Sequence, residues 1–159
     1  MTEEISPHIF RAYDIRGLYG KDIDPMLFYK IGLSAGTYVK TRLNGNTMAV
    51  GNDIRQSSHA LVHAFISGVI STGVNVSYTK TTSFGQTLFA GWKEQNDLIA
   101  FVTASHLPPE WNGIKFYFGD GVGLPEDELN QIRDNTLQNK CEIADFSQVG
   151  RVKEVDAKE

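Results

Sequence analysis

Three side chains that could take part in group transfer lie close together in the sequence, at Ser105, His106 and Lys115. A serine hydroxyl can act as a nucleophile, while an imidazole and an ammonium group can move protons or neutralise negative charge. These residues lie between an apolar run at Leu98–Val102 and an alternating run at 114–118, and both patterns predict strands. Because loops held between rigid strands often carry functional groups, the sequence predicts a reactive loop here.

Three segments of the chain follow patterns that occur together in one enzyme family. They are TASHLPPEWNGIK at 103–115, IFRAYDIRG at 9–17 and VGNDIR at 50–55. In this order they resemble the active-site serine loop, the N-terminal signature and the Gly-Arg-Asp-x-Arg segment of the α-D-phosphohexomutases, which are phosphomannomutases, phosphoglucomutases and phosphoglucosamine mutases. Family members have four domains and the match covers only the first. The resemblance therefore implies a catalytic-serine domain at 1–150 and the start of a linker to absent later domains at 151–159.

The resemblance implies that Ser105 carries phosphate. In the family the equivalent serine is phosphorylated in the resting enzyme and gives its phosphate to a hexose phosphate. The resulting bisphosphorylated sugar turns over in the site and returns its other phosphate to the serine. The implied activity is an intramolecular phosphotransfer between C1 and C6 of mannose or glucose phosphate, with a hexose bisphosphate as intermediate and activator. The isolated domain is expected to be inactive.

The same resemblance implies further site residues. Arg16 is expected to line the active site, because a planar guanidinium can bind phosphate through two parallel hydrogen bonds. Tyr13 is expected at the edge of the substrate site, and His106 and Lys115 are expected to assist proton transfer near the serine. The residue types alone leave other roles open: a loop-shaping histidine, a solvated lysine and a surface salt bridge of Arg16.

Two further pairs are expected to support the loop. Asp53 and Arg55 follow a predicted strand at 48–50, and sites in α/β sheets form at the carboxyl ends of strands. Asn112 and Gly113 form a typical turn signal and are expected to shape the loop without acting as catalysts.

The resemblance also implies one Mg²⁺ ion in the full-length protein. This chain would contribute only a phosphate oxygen on Ser105, since the family's aspartate ligands lie in an Asp-Gly-Asp-Gly-Asp run of the second domain. The run GDG at 119–121 is followed by Val122 and is typical of a turn. Two single positions depart from the family pattern, because Leu107 stands where asparagine is usual and Asn52 stands where arginine is usual. A third departure is the stretch Thr81-Thr82-Ser83, where a proline-rich turn is common in the family.

Alternating helical and strand patterns predict the elements that hold these residues. Helices are expected from Asp24-Pro25 to about residue 43, from a capping Ser58 to Gly73, from about Ser83 and from about Pro125 to 140. Strands are expected at 48–50, 74–78, 98–104 and 114–118, with a less clear first strand at 5–10. The order predicts an α/β fold, a three-layer α/β/α sandwich with a mixed, largely parallel sheet. The third helix carries an apolar side formed by Phe84, Leu88, Phe89 and Trp92.

Composition restricts the class of protein. The chain has 159 residues, 41% hydrophobic and 21% charged, with a net charge of −4, which suits a globular domain and argues against a nucleic-acid partner. A single cysteine, Cys141, cannot form an internal disulfide. The acidic N-terminus lacks the order of a signal peptide and no apolar run is long enough to cross a membrane. A cytoplasmic protein without membrane contact is expected.

Three other functions remain compatible with the sequence. A different phosphoserine phosphotransferase or phosphatase would release its phosphate instead of returning it to sugar. A phosphosugar-binding module would only hold an anion in the loop. An α/β domain used for assembly would not bind phosphate at all.

Overall fold

Helices and strands alternate along residues 4–157, which the computed structural model describes. The strands are β1 (Ile15–Leu18), β2 (Thr47–Asn52), β3 (Asn75–Thr81), β4 (Leu98–Val102), β5 (Trp111–Phe118) and β6 (Val152–Glu154). The α-helices are α1 (Pro25–Thr41), α2 (Ser58–Ser71), α3 (Phe84–Lys93) and α4 (Glu126–Gln138). Short 3₁₀ helices lie at Pro7–Ile9 and Phe146–Gln148.

The strands form one mixed sheet in the order β1-β5-β4-β2-β3-β6. The pairs β4–β2, β2–β3 and β3–β6 are parallel, whereas β1–β5 and β5–β4 are antiparallel. The predicted mixed sheet is therefore confirmed. The antiparallel part follows from the direct link between β4 and β5, because a short loop cannot make the crossover that parallel strands need.

Helices cover both faces of the sheet, as a three-layer sandwich requires. Buried side chains of α1, α2 and α4, such as Phe28, Phe65 and Ile132, share one apolar core with Val50 and Ile114 of the sheet. Helix α3 packs on the opposite face. There the position of a Cβ on Gly91 would lie only 2.5 Å from the side chain of Ile99. The predicted α/β/α architecture is confirmed, with three helices on one face and one on the other among the described residues.

Local sequence signals fix most helix ends. Asp24 caps α1 by accepting a hydrogen bond from the Leu27 N–H at 2.8 Å, and Pro25 occupies the first helical position. Ser83 and Gln86 form a capping box at the start of α3. Gly73 follows α2 with φ +92°, a conformation that glycine adopts without steric cost.

Two predicted features of the elements are wrong, the first strand and the cap of α2. Residues 5–10 form no strand, because Pro7 begins a 3₁₀ helix, and the first strand is Ile15–Leu18. Within the predicted linker segment at 151–159, Val152–Glu154 forms an edge strand that pairs in parallel with β3, and the connection to later domains stays a prediction. The last two residues of that predicted linker lie outside the described residues. Ser58 is the first residue of α2 and not its cap.

The aromatic side of α3 does not face the core. An apolar side at helical spacing usually packs inward, but Phe89 and Trp92 are 52% and 58% exposed. The residues of α3 that are buried are Thr87, Ala90 and Gly91. They are small enough to let the helix backbone approach the sheet closely, so the large aromatic side chains remain outside.

Candidate functional site

The reactive loop occupies residues 103–110, between the antiparallel strands β4 and β5. Ser105 is exposed, and in the part of the chain that the structure describes its hydroxyl has no hydrogen-bond partner. Its backbone has φ +59°, which is costly for a residue with a side chain. The Ser105 N–H donates to the Thr103 Oγ1 at 2.9 Å, and the Leu107 N–H donates to the Ala104 carbonyl at 3.1 Å. The loop thus holds a free hydroxyl on a tightly bonded backbone.

Arg55 holds this loop through hydrogen bonds from its guanidinium group. Its NH1 donates to the carbonyls of Pro108 and Trp111 at 2.8 and 3.1 Å. Its NH2 donates to the carbonyls of Ser105 and Leu107 at 2.9 and 2.8 Å. The Nε donates to Asp53 at 3.1 Å. All five N–H groups of the arginine therefore have acceptors.

Asp53 joins Arg55 to the strand that leads into the loop. One carboxylate oxygen accepts hydrogen bonds from the Arg55 backbone N–H at 3.0 Å and the Ser58 hydroxyl at 2.6 Å. The other accepts from the Arg55 Nε and from the Thr103 hydroxyl at 2.7 Å. The Arg55 guanidinium and the Asp53 carboxylate also form an ion pair at 3.1 Å. Because their side chains are only 12% and 20% exposed, respectively, each charge is balanced by the other and not by water.

Asn112 connects this network to strand β5. Its buried amide donates to the hydroxyls of Ser57 and Ser58 at 2.8 and 3.0 Å. The predicted turn at Asn112 and Gly113 is wrong, because both residues lie within β5. Ser58, predicted as a helix cap, instead donates to Asp53. The side chain of Asn112 therefore reaches the loop through Ser58 and Asp53.

Arg16 lies two strands away from the loop entrance, on the same row of the sheet. It pairs with Gly113, whose carbonyl accepts a hydrogen bond from the Thr103 N–H at 3.0 Å. A Cβ on Gly113 would lie 3.1 Å from the Cγ of Arg16, so the arginine side chain passes over the glycine. Its Nε donates to buried Asp14. No partner of its two terminal nitrogens is found within residues 4–157.

Lys115 lies on the same face of the sheet as Arg16. It pairs with Phe101 of β4 and is half-buried, and none of the described residues forms an ion pair with it. Tyr117 follows on this face, and burial together with the charge of Asp14 raises the pKa of its hydroxyl. Helix α3 packs mainly over β2, β3 and β4 and contacts β5 through the rings of Phe84 and Tyr117. The two cations lie beside this helix, on the part of the sheet that is called the open face below, where the Arg16 side chain is 12% exposed.

Two of the predicted site residues are exposed and lie outside the hydrogen-bond network of the described site. Tyr13 is 81% exposed, and His106 is exposed at the tip of the loop. Neither side chain makes a hydrogen bond to any described residue. Their contribution would depend on a bound molecule.

Both single positions that depart from the expected pattern are compatible with the loop. Leu107 contributes its backbone carbonyl to Arg55, which any side chain permits. Asn52 is fully buried and donates to the Asp53 carbonyl at 2.9 Å and to Thr81 at 3.1 Å, while it accepts from the Tyr78 hydroxyl at 2.8 Å. It thus supports the backbone just before Asp53.

Sequence reasoning missed the supporting roles of Thr103, Ser58 and Asn52. A signal was present, since each is a polar residue at or just beyond the end of an otherwise apolar strand or at the start of the next helix. Such residues are rarely buried without a hydrogen-bond partner. Their partners could not be identified without the register of the sheet.

The described residues do not assemble a metal site by themselves. Among residues 4–157 no group of three or more His, Cys, Asp or Glu side chains is placed to bind a metal ion. The Asp120 carboxylate accepts a hydrogen bond from the Val122 N–H at 2.9 Å, within a tight turn.

No helix of the described chain is long and apolar enough to cross a membrane.

Comparison with known proteins gives consistent matches. Residues 7–142 match the family model of phosphoglucomutase/phosphomannomutase, alpha/beta/alpha domain I. A probable phosphoglucosamine mutase of Thermococcus gammatolerans is 35% identical over 94% of this chain and 32% of its own length. A phosphomannomutase of Vibrio cholerae is 34% identical over 92% of this chain and 32% of its own length.

Solved structures agree with these matches. A phosphoglucomutase/phosphomannomutase family protein of Burkholderia thailandensis superposes with a TM-score of 0.85 and 29% identity, over 96% of this chain and 34% of that one. The chain spans about a third of the length of the relatives that it matches.

Proposed function

Because the chain belongs to the phosphoglucomutase/phosphomannomutase family, we propose that it is the domain that carries the phosphoryl-accepting serine of a hexose-phosphate mutase. Its relatives are about three times as long, so the complete reaction would need further domains. The proposed reaction moves phosphate between C1 and C6 of a hexose through a bisphosphorylated sugar. The relatives include phosphoglucosamine mutases as well as a phosphomannomutase, and we propose mannose or glucose phosphate as the substrate class.

The observation that carries this proposal is the exposed Ser105 hydroxyl on a fixed loop. Phosphoryl transfer depends mainly on positioning and on charge neutralisation. In the proposed first step a hydroxyl oxygen of the sugar monophosphate forms a bond to the phosphorus on phosphorylated Ser105 as the bond from that phosphorus to Oγ breaks, which gives the bisphosphorylated sugar; the hydroxyl loses its proton and Oγ gains one. In the second step the Ser105 Oγ forms a bond to the other phosphorus as the bond from that phosphorus to its sugar oxygen breaks, and the proton moves from Oγ to that oxygen. The hydrogen bonds of Arg55 and Thr103 would keep the loop in place during both steps.

The cations on the open face of the sheet have complementary roles in the proposal. The two terminal nitrogens of Arg16 have no partner among residues 4–157 and can bind phosphate oxygens, while its Nε is fixed by Asp14. Lys115 would supply positive charge and a proton donor near the serine, with His106 as a further proton carrier at the loop tip. Tyr13 would contact the sugar at the rim. A cation such as Mg²⁺, when bound, would neutralise phosphate charge, but this chain would provide only an oxygen of phosphorylated Ser105.

A substitution of the serine tests the proposal directly. Ser105→Ala in the full-length protein should abolish mutase turnover with little change in melting temperature, because an exposed side chain adds little packing. After incubation with a hexose 1,6-bisphosphate, intact-mass measurement should show one phosphoryl group on the wild type and none on the variant. Ser67→Ala is the matched control, since Ser67 is also exposed but lies on α2.

The same experiment separates the alternatives. Phosphorylation of Ser105 with release of free phosphate but no sugar isomerisation would indicate a phosphatase. Binding of hexose phosphate without phosphorylation would indicate a binding module. Near-normal mutase turnover by Ser105→Ala would rule out the proposed role.

A further inference from the structure

The Thr103 hydroxyl makes two hydrogen bonds, one to Asp53 and one to the backbone of the reactive serine. Its hydroxyl donates to the Asp53 Oδ2 at 2.7 Å and accepts from the Ser105 N–H at 2.9 Å. A hydroxyl has one hydrogen to donate, and an ionised carboxylate can only accept. The direction of both bonds is therefore fixed, and the Thr103 oxygen is aimed at the Ser105 amide.

The backbone of Ser105 needs such a restraint. Its φ of +59° lies in the left-handed region, which glycine or asparagine occupies at lower cost. A residue that must keep a hydroxyl cannot be replaced by either. The Thr103 bond to the Ser105 N–H and the Arg55 bond to the Ser105 carbonyl at 2.9 Å hold the peptide groups on both sides of the residue.

Asp53 itself is held from two further elements. The Ser58 hydroxyl at the start of α2 donates to Asp53 at 2.6 Å, and Ser58 in turn accepts from the Asn112 amide of β5 at 3.0 Å. Ser58, Asn112 and Thr103 are all buried. The position of the Thr103 hydroxyl is thus determined by packed parts of the domain and not by the exposed loop.

We infer that Thr103 is a positioning residue, which sets the direction of the Ser105 hydroxyl by fixing the serine backbone in its left-handed conformation. This inference rests on the proposed function insofar as Ser105 receives phosphate. Thr103 does not touch the reacting atoms in this assignment and acts through the Ser105 amide. Valine has nearly the same shape as threonine but can neither donate nor accept, whereas serine keeps the hydroxyl.

A second threonine in the same sheet provides a matched control. Thr47 donates to Asp97 at 2.8 Å and accepts from the Asp97 N–H at 3.2 Å. It joins the other ends of the same two strands, β2 and β4, far from the loop. Thr47→Val therefore removes a similar pair of hydrogen bonds without changing the environment of Ser105.

Amide hydrogen exchange of the 159-residue chain tests the geometry without any need for activity. In Thr103→Val the Ser105 amide should exchange at least about tenfold faster than in the wild type, since its acceptor is lost. Thr103→Ser and Thr47→Val should leave this amide within about threefold of the wild type. If Thr103→Val fails to fold, Thr103→Ala removes the same hydroxyl without added bulk. Unchanged protection in the folded variant would overturn the inference.

Steady-state kinetics of the full-length protein test the consequence. Thr103→Val should lower kcat by roughly tenfold to a hundredfold with KM nearly unchanged, because a misplaced nucleophile affects the chemical step more than substrate binding. Thr103→Ser should restore most of kcat, and Thr47→Val should keep it. Equal losses in Thr103→Val and Thr47→Val would indicate a general loss of stability instead. If the wild type shows no phosphotransfer, the proposed function fails, while the exchange data still decide the role of Thr103.

Discussion

The hydrogen bonds of Arg55 indicate that this residue supports the loop and does not bind phosphate. A guanidinium near a phosphorylated serine could be taken for a phosphate ligand, but every N–H of Arg55 already has an acceptor within the protein. Its charge is also paired with Asp53. On the open face, Arg16 and Lys115 keep donors that have no partner among the described residues, so under the proposed function phosphate recognition by this domain would fall to them.

This saturation predicts a large effect of a conservative substitution. Arg55→Lys keeps the charge but cannot bond to four carbonyls and a carboxylate at once, and the loss of hydrogen bonds from a largely buried ion pair is costly. We expect the free energy of unfolding of the 159-residue chain to fall by about 3 kcal/mol, measured by urea denaturation. Arg42→Lys is the control, since the side chain of Arg42 is 55% exposed in its ion pair with Glu128, and it should cost much less than Arg55→Lys. Equal effects would contradict the supporting role of Arg55.

The contact between α1 and α2 depends on how closely the two helix backbones can approach each other. Helices α1 and α2 approach so closely that a Cβ on Gly32 would lie 2.1 Å from the Phe65 carbonyl oxygen. A Cβ on Gly68 would lie equally close, 2.1 Å from the Tyr29 carbonyl oxygen. Two glycines thus form the contact, and the buried aromatic residues lie around it. Apolar spacing identified α2 correctly but gave no indication of this crossing.

The close crossing predicts a position-dependent effect of alanine. Gly32→Ala should destabilise the chain by about 3 kcal/mol or more, because backbone atoms cannot move aside. Gly85→Ala on α3 meets no atom within 4 Å and should instead stabilise by a few tenths to about 1 kcal/mol through helix propensity. Melting curves of both variants provide the measurement. A neutral Gly32→Ala would show that the two helices can separate without loss.

The agreement between sequence and structure differs from element to element. Helix starts at Asp24 and Ser83 were predictable because caps are local signals. The sandwich was predictable from the alternation of helix and strand. The outward aromatic side of α3 was not, since it depends on how closely a helix backbone can approach the sheet. Strand β6 was not predictable either, because its charged sequence gives no periodicity and its pairing with β3 is a long-range contact.

At the candidate site, the motifs identified the loop and Arg55 but not the reasons for their arrangement. The buried hydroxyls of Thr103 and Ser58 became interpretable only once the strand register and the start of α2 were known. Hydrogen bonds between residues distant in the sequence cannot be read from local patterns.

At the scale of the whole molecule, stability in acid should depend on one contact between α1 and α4. Hydrogen bonds from Arg42 and then from Tyr38 lower the pKa of Glu128 below its ordinary value of 4.5. Burial and the same Glu128 contact raise the pKa of Tyr38. A carboxyl group whose pKa is lowered by folding stabilises the protein above its unfolded pKa, and this contribution disappears as the pH falls through the folded pKa.

The free energies of unfolding of the wild type and of Glu128→Gln should converge as the pH falls. Glu128→Gln should be less stable than the wild type at neutral pH, and the difference should shrink as the pH drops below 4.5. Urea denaturation across this pH range measures it. Glu126→Gln, exposed in the first turn of the same helix, should stay within about 0.5 kcal/mol of the wild type throughout. A constant difference between Glu128→Gln and wild type at every pH would exclude the proposed linkage.

The edge position of β1 has a consequence for how the chain is made. Within the described sheet this strand pairs only with β5, and Ile15 lies opposite Ile114. A ribosome adding about 5–20 residues per second would therefore release β1 about 5–20 s before its partner. During that interval the strand that carries Arg16 has no ladder to join, and an apolar Ile15 that ends fully buried stays open to other chains. The open face of the sheet would then be completed only once β5 has emerged, so that a nascent domain holds Arg16, the proposed phosphate ligand, in place only after most of its other strands exist.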